Sequence, residues 1–415
     1  MGRVLIATAA AALALGASDP TASDLNTAGV AQYNAKHYAE AVETFEKAFQ
    51  SAPDNATVRK NLCNAYQASA NELAKSGDYS TAKSQLELAV NTDPENPSPL
   101  VQLGAYDLKL ELTSEAVFRL EEAIQLDPEN IDAHDLLGEA YYRNNDLSAA
   151  LAHWELVREK QPNRANLQAK IDKASREQSV ELNFKKSESR HFKVSYSQGT
   201  PAQDLRRVLN TLERAYMEIG RKFSGAYPPG PIQVIVYTAN AFTNVTMLGG
   251  HIGGLYDGKI RVPLIDASGR SIPDSDLQRV LYHEYTHVVV RHLSGDAAPF
   301  WLNEGLAETF SCELSKADWE ALAMARNQGT LVPLSSLEGG QIDKLPPDAL
   351  RLAYLQSHAA VQSLWNRMGA NGLSAMMTSL SEGTTPEDAL KQTYRRSYDL
   401  LEREYINAIV QTASR

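Results

Sequence analysis

The chain has 415 residues, 43% of them hydrophobic and 22% charged, and a formal net charge of −11. That length suits two domains, each long enough to bury a core, and the composition excludes a disordered or membrane-embedded protein. Residues 1–182 hold 16 Lys+Arg against 27 Asp+Glu while residues 183–415 hold 24 of each, so neither half has the basic surplus of a nucleic-acid binder. The acidity of the first half either keeps it soluble or attracts a basic partner. Cys63 and Cys312 fall in different predicted domains and imply no disulfide framework.

Residues 1–20 carry one arginine, an apolar run from Val4 to Leu15 and then small residues, the pattern of a secretory signal cleaved near Ala17. The run is too short to span a bilayer, and no cysteine follows it to take a lipid. The expectation is an exported protein, periplasmic or secreted, with no stable membrane anchor. An alanine-rich N-terminal helix is the alternative.

From residue 24 to 165 the sequence repeats. Gly104 and Gly138 are 34 apart, as are Ala82, Ala116 and Ala150, and Pro94, Pro128 and Pro162. This is the tetratricopeptide pattern, two antiparallel helices per unit stacked into an all-α solenoid. Four helix pairs are predicted, near 24–52, 56–93, 98–127 and 131–161. The second unit is seven residues longer, close to two helical turns, so a helix pair can lengthen around Gln67–Lys75 without losing phase. The array is either a scaffold or a platform for a substrate or protein partner. A polar helix over 163–182 caps it, and residues 18–180 are read as one domain.

Residues 181–415 follow a different pattern. His191–Ser197 alternates as a half-buried strand, Pro201–Phe223 is an amphipathic helix, and Ile232–Tyr237 is a short apolar strand. Asp257-Gly258 between Leu255-Tyr256 and Ile260–Val262 signals a tight hairpin. The Gly-rich 249–254 lacks the Lys-Ser/Thr of a phosphate loop. The next helix is expected to be capped by Ser275 with Gln278 and to end near His292–Gly295. A second runs from about Trp301 to Leu314, and the rest is helical: Leu350–Met368, Pro386–Tyr394 and Tyr398–Thr412.

The first of those helices holds His283 and His287 four residues apart, with Glu284 between them. Residues i and i+4 share one helix face, so both imidazoles can reach one metal ion, and neutral imidazoles suit zinc. Glu304, seventeen residues after His287, completes a three-ligand set that leaves a position for water. Glu284 can reach that water as general base without ligating. Glu308, one turn beyond Glu304, can take the outer ring N–H of a histidine, and Asn303 belongs to the same supporting shell. Cys312, a turn after Glu308, is read as a small buried apolar residue.

His283-Glu284-Tyr285-Thr286-His287 followed by Trp301-Leu302-Asn303-Glu304-Gly305-Leu306-Ala307 resembles the gluzincin metallopeptidases, the thermolysin and aminopeptidase N class with its peptidase MA-like domain. The match covers about residues 249–310, with a slightly shorter histidine-to-glutamate gap. The resemblance implies an α+β domain with a small mixed or antiparallel sheet, one Zn2+ per chain, a peptide or protein substrate, Glu304 as third ligand and Glu308 behind it. It also implies an edge strand that pairs with substrate. Leu255–Pro263 stands where that strand belongs, with Gly254, Leu255 and Tyr256 as its contacts, or is an ordinary hairpin. The oxyanion stabiliser falls to Tyr354, with His358 as the alternative and a core tyrosine as the other reading. His251 and His292 are read as solvated or structural. No motif for binding a substrate N-terminus is present, which favours an endopeptidase. The competing class is a non-catalytic scaffold with an idle peptidase-like domain.

Overall fold

A computed structural model describes residues 20–248, 253–339, 342 and 345–413. The expected signal segment, with its cleavage near Ala17, and His251 lie outside the described residues. The chain packs as two compact units, one ending at Pro99 and the other spanning Leu100–Arg415.

The first unit contains α1 (Ala22–Asn34), α2 (Tyr38–Ser51), α3 (Ala56–Lys75) and α4 (Tyr79–Thr92). Helix α3 is 20 residues long and takes up the extra length of the second repeat, as expected. Side-chain caps set its boundaries: Asn55 accepts from the N–H groups of Thr57 and Val58, and Asp78 accepts from that of Thr81 at the start of α4. Phe45, Leu62 and Tyr66 form the core between these helices.

The second unit opens with the later repeats, α5 (Ser98–Lys109) to α8 (Leu147–Lys160) by way of α6 (Thr113–Leu126) and α7 (Ile131–Arg143), followed by α9 (Leu167–Glu181). The repeat glycines are there for close approach. A Cβ on Gly138 would lie 2.5 Å from the Trp154 ring, and one on Gly104 2.5 Å from Leu120. The boundary read near residue 180 marks a change of sequence pattern and lies inside this compact unit. Buried ion pairs join α9 to the strands that follow, so α5–α9 pack with the C-terminal domain.

Among the described residues five strands follow: β1 (Lys185–Glu188), β2 (Phe192–Tyr196), β3 (Ile232–Thr238), β4 (Leu255–Tyr256) and β5 (Ile260–Ile265). They form one mixed sheet in the order β1-β2-β3-β5-β4, with parallel pairing at β2-β3 and β3-β5 and antiparallel pairing at both edges. Strand β3 is buried on both faces, which is why its sequence is a continuous apolar run. Val234 and Val236 face the main core with α10 (Ala202–Lys222), whereas Ile235 and Tyr237 pack on Phe242 and Val245 of α11 (Ala239–Thr246). The hairpin is present, turning at Gly258 with φ +98°. Among the described residues Leu255 and Tyr256 form its outer edge, and β5 is interior. The expected edge segment Leu255–Pro263 is therefore two residues of edge followed by a central strand.

Helix α12 (Asp274–Ser294) starts before the expected cap. Pro273 is its N-cap, no side chain caps it, and Asp274 and Asp276 supply negative charge in the first turn. Gln278 instead accepts from Arg214 of α10 at 3.1 Å. Helix α13 (Phe300–Ser311) stops short of Leu314 because Cys312 is extended. Helices α14 (Lys316–Gln328), α15 (Pro347–Ser381), α16 (Pro386–Tyr394) and α17 (Tyr398–Ala413) complete the domain. Helix α15 runs on past Met368, but Gly369 breaks it with φ +56°. No helix among the described residues is long and apolar enough to cross a membrane.

Candidate active site

Leu277, Leu281, Tyr285, Val288 and Val289 bury one face of α12 in the domain core, and this fixes the direction of His283 and His287. Their rings meet edge to face with centroids 4.8 Å apart. Helix α13 brings Glu304 to them. Gly305 lets α13 lie against α15, since a Cβ there would sit 2.4 Å from the Ser357 carbonyl oxygen. Glu304 Oε2 is then 3.4 Å from His283 Nε2 and 3.6 Å from His287 Nε2. One donor atom from each of the three residues falls within a 4.8 Å cluster.

The outer ring nitrogens have their own partners. His287 Nδ1 lies 2.9 Å from Asn303 Oδ1, and because an amide oxygen only accepts, the ring donates from Nδ1 and keeps the Nε2 lone pair for the centre. His283 Nδ1 lies 3.5 Å from Glu308 Oε1. Arg279 Nη2 approaches the other oxygen of Glu308 at 3.4 Å, and the Cys312 thiol donates to that oxygen at 3.2 Å.

The buried imidazoles and carboxyls of the centre perturb one another. Glu284 is 4% exposed, and its Oε2 and that of Glu304 are buried without a hydrogen bond. Burial pushes the Glu284 carboxyl up to about 8, against the pull of His283. Burial opposes a charged His283, yet Glu304, Glu284 and Glu308 outweigh it and raise the imidazole to about 9. Burial lowers His287. Burial would raise Glu304, but His287 and His283 hold it below the ordinary carboxyl value. Two imidazole nitrogens and the Glu304 carboxylate oxygen directed at one point, with the unbonded Glu284 Oε2 beside them, fit a divalent metal ion.

A cleft of about 770 Å³ opens over this centre, walled by Leu255, Tyr256, Val290, Phe300, Leu350 and Tyr354. Gly254 at its rim lies so close to Glu284 that a Cβ would sit 2.6 Å from Oε1. Tyr354 lines the cleft with its ring edge-on to Phe300, and burial followed by three nearby carboxyl groups keeps its hydroxyl protonated. His358, 3% exposed, clusters instead with Glu308 and Cys312 behind the ligands. His292 is exposed and does not line the cleft.

Sequence reasoning missed the residues that hold β4 and β5 in place. Lys259 and Arg261 are each 1% exposed and meet Glu177 and Glu181 of α9. The signal was two cations alternating with apolar residues in a buried strand, and two glutamates one turn apart on a polar helix.

A family model of the Peptidase MA superfamily matches residues 221–411, and tetratricopeptide models match 25–55 and 107–173. No curated protein matches the chain. Among solved structures it is similar to the first TPR of Spaghetti (RPAP3) bound to HSP90 peptide SRMEEVD, at 21% identity, 28% of this chain, 93% of that one and a TM-score of 0.28. YrrB, a TPR protein with an unusual peptide-binding site, is 21% identical over 39% of this chain and 80% of that one, TM-score 0.32. MamA from Desulfovibrio magneticus RS-1 is 24% identical over 35% and 79%, TM-score 0.28. Residues 221–411 are thus a Peptidase MA superfamily domain, and it follows tetratricopeptide repeats.

Proposed function

We propose that this chain is an exported, zinc-dependent peptidase, with endopeptidase cleavage favoured and a repeat array that recruits a substrate or protein partner. The observation that carries the reading is the convergence of His283 Nε2, His287 Nε2 and Glu304 Oε2 beside the unpaired Glu284 Oε2 in a cleft edged by β4. Zinc is favoured because its catalytic sites take three such N and O donors and keep a fourth position open. When bound, the ion supplies Lewis acidity that polarises an amide carbonyl and lowers the pKa of water to roughly 7.

The chain's own residues do the rest. Glu284 takes the proton of the attacking water and delivers it to the departing nitrogen. Asn303 and Glu308 hold the two rings so that Nε2 faces inward. The Tyr354 hydroxyl, kept protonated, donates to the oxygen that gains charge as the carbonyl is attacked. Among the described residues no strand pairs with the outer edge of β4, and an extended peptide can add to it with its backbone across Glu284.

The test is zinc content together with cleavage of casein and a peptide library, for wild type and Glu284→Gln. The variant is expected to keep about one zinc and lose at least ~10³-fold in turnover, since it cannot accept the proton. A zinc-loaded wild type that cleaves nothing, or an equally active variant, overturns the reading. Export is tested by the N-terminus of the mature chain, expected to follow Ala17.

A further inference from the structure

The turns between paired helices in successive repeats use one position in the left-handed region. Gly77 fills it in the second repeat, Glu111 in the third with φ +61° and Asn145 in the fourth with φ +55°. Lys36 holds it in the first repeat with φ +63°, so the position accepts long side chains, and what sets Glu111 and Asn145 apart is what their side chains reach. Both side chains have work elsewhere in the unit. Glu111 Oε1 accepts from Arg291 Nε at 2.9 Å, four residues beyond His287 on α12. Asn145 Oδ1 accepts from Lys259 Nζ at 2.7 Å, in the β4–β5 turn.

Helix α9 adds to this grip. Glu177 Oε2 takes Arg261 Nη2 at 2.9 Å and Lys259 Nζ at 3.3 Å, and its other oxygen accepts from Tyr142 at 2.6 Å. Glu181 accepts from Asn145 Nδ2 at 3.0 Å, from Tyr237 and from Arg261. Lys173 closes the set by binding Asp257 at 2.7 Å. Three cations thus face three carboxylates.

The gripped turn, Asp257–Lys259, is the one that presents β4. Arg261 pairs in register with Leu255, and Ile260 with Tyr256. The next residue back, Gly254, presses on Glu284. A continuous line of contacts therefore runs from α9 through the hairpin to the candidate base.

We propose that Glu177, Glu181 and Asn145 are positioning residues of the active site: the last repeat and its capping helix hold the substrate edge β4 against α12. The third and fourth repeats are then part of the peptidase unit, and recruitment by the array is a separate matter. This rests on β4 being the substrate strand, as proposed above.

The experiment uses the full zinc-loaded chain, a short peptide substrate and hydrogen exchange. In Glu177→Gln, amides of 253–262 are expected to exchange at least ~10-fold faster while those of α13 stay unchanged, because opening becomes local to the hairpin. KM should rise about 10-fold with kcat within about twofold, the mark of lost uniform binding, whereas partial unfolding would lower kcat and leave KM alone. Lys173→Ala, at a side chain 41% exposed, is the milder variant that keeps its fold, and should raise KM about threefold. Unchanged hairpin exchange in both folded variants overturns the proposal. If wild type cleaves nothing while the variants still loosen the hairpin, the grip on β4 is structural only, and the peptidase reading falls together with the active-site role built on it.

Discussion

The second unit contains two buried groups of charged side chains that differ in one respect. Around Lys259 and Arg261, every cation faces a carboxylate and the remaining oxygens accept from Tyr142, Tyr237 or Asn145. Around His283 and His287, Glu284 Oε2 and Glu304 Oε2 are buried with no hydrogen bond. A buried charge costs several kcal/mol unless it is matched; the first group is matched within the chain, whereas in the second Glu304 Oε2 faces both histidines and Glu284 Oε2 has no partner. Sheer density of buried charge thus does not mark the candidate site; a buried carboxyl oxygen without a partner beside clustered ligand atoms does.

The largest expected effect breaks the matched group. Arg261→Met leaves Glu177 and Glu181 partly unpaired and should cost about 3–5 kcal/mol of unfolding free energy by chemical denaturation at pH 7. Glu284→Gln, in metal-free protein, should leave stability equal or higher, because it removes a buried carboxyl that has no partner. If the two variants lose the same stability, the distinction between the groups fails.

A smaller effect sharpens the second group. His287 is oriented by one hydrogen bond to Asn303. Asn303→Ala should weaken metal affinity by about 10–100-fold in competition with a chelator, while the metal-free protein melts within a few degrees of wild type. Unchanged affinity would mean that the ring is held by packing alone.

Much of this was legible in the sequence, and the reasons differ by element. The repeats declare themselves by a 34-residue step whose glycines are needed where Leu120 and Trp154 approach. The helix of His283 and His287 has a four-residue spacing that only one face explains. Strand β1 was missed because its four residues, Lys-Lys-Ser-Glu, are mostly exposed at a sheet edge and alternate in no useful way. The early start of α12 was missed because proline serves as its cap without a side-chain bond. That Tyr354 and not His358 lines the cleft needed coordinates, since residues one turn apart share a face and only packing separates them. The matched group was invisible because Tyr142 and Arg261 are 119 residues apart.

Acid titration separates the two groups by the sign of its slope. Burial would raise Glu177, but Lys259 and Arg261 hold it below the ordinary 4.5. A carboxyl depressed in the folded state binds fewer protons there than when unfolded. Its stabilisation is therefore fully present above pH 4.5 and is lost as pH falls through the folded value. The stability gap between wild type and Glu177→Gln should narrow between pH 6 and pH 3, by about 1.4 kcal/mol for each unit of depression. Glu284 behaves oppositely in metal-free protein, because burial raises it to about 8. Between pH 4.5 and 8 its folded form holds a proton that the unfolded chain gives up, so wild type should gain on Glu284→Gln as pH falls through that range. Urea titrations of wild type and the two variants across pH 3–8 read both slopes; parallel slopes would show that the two groups are not distinguished by their pairing.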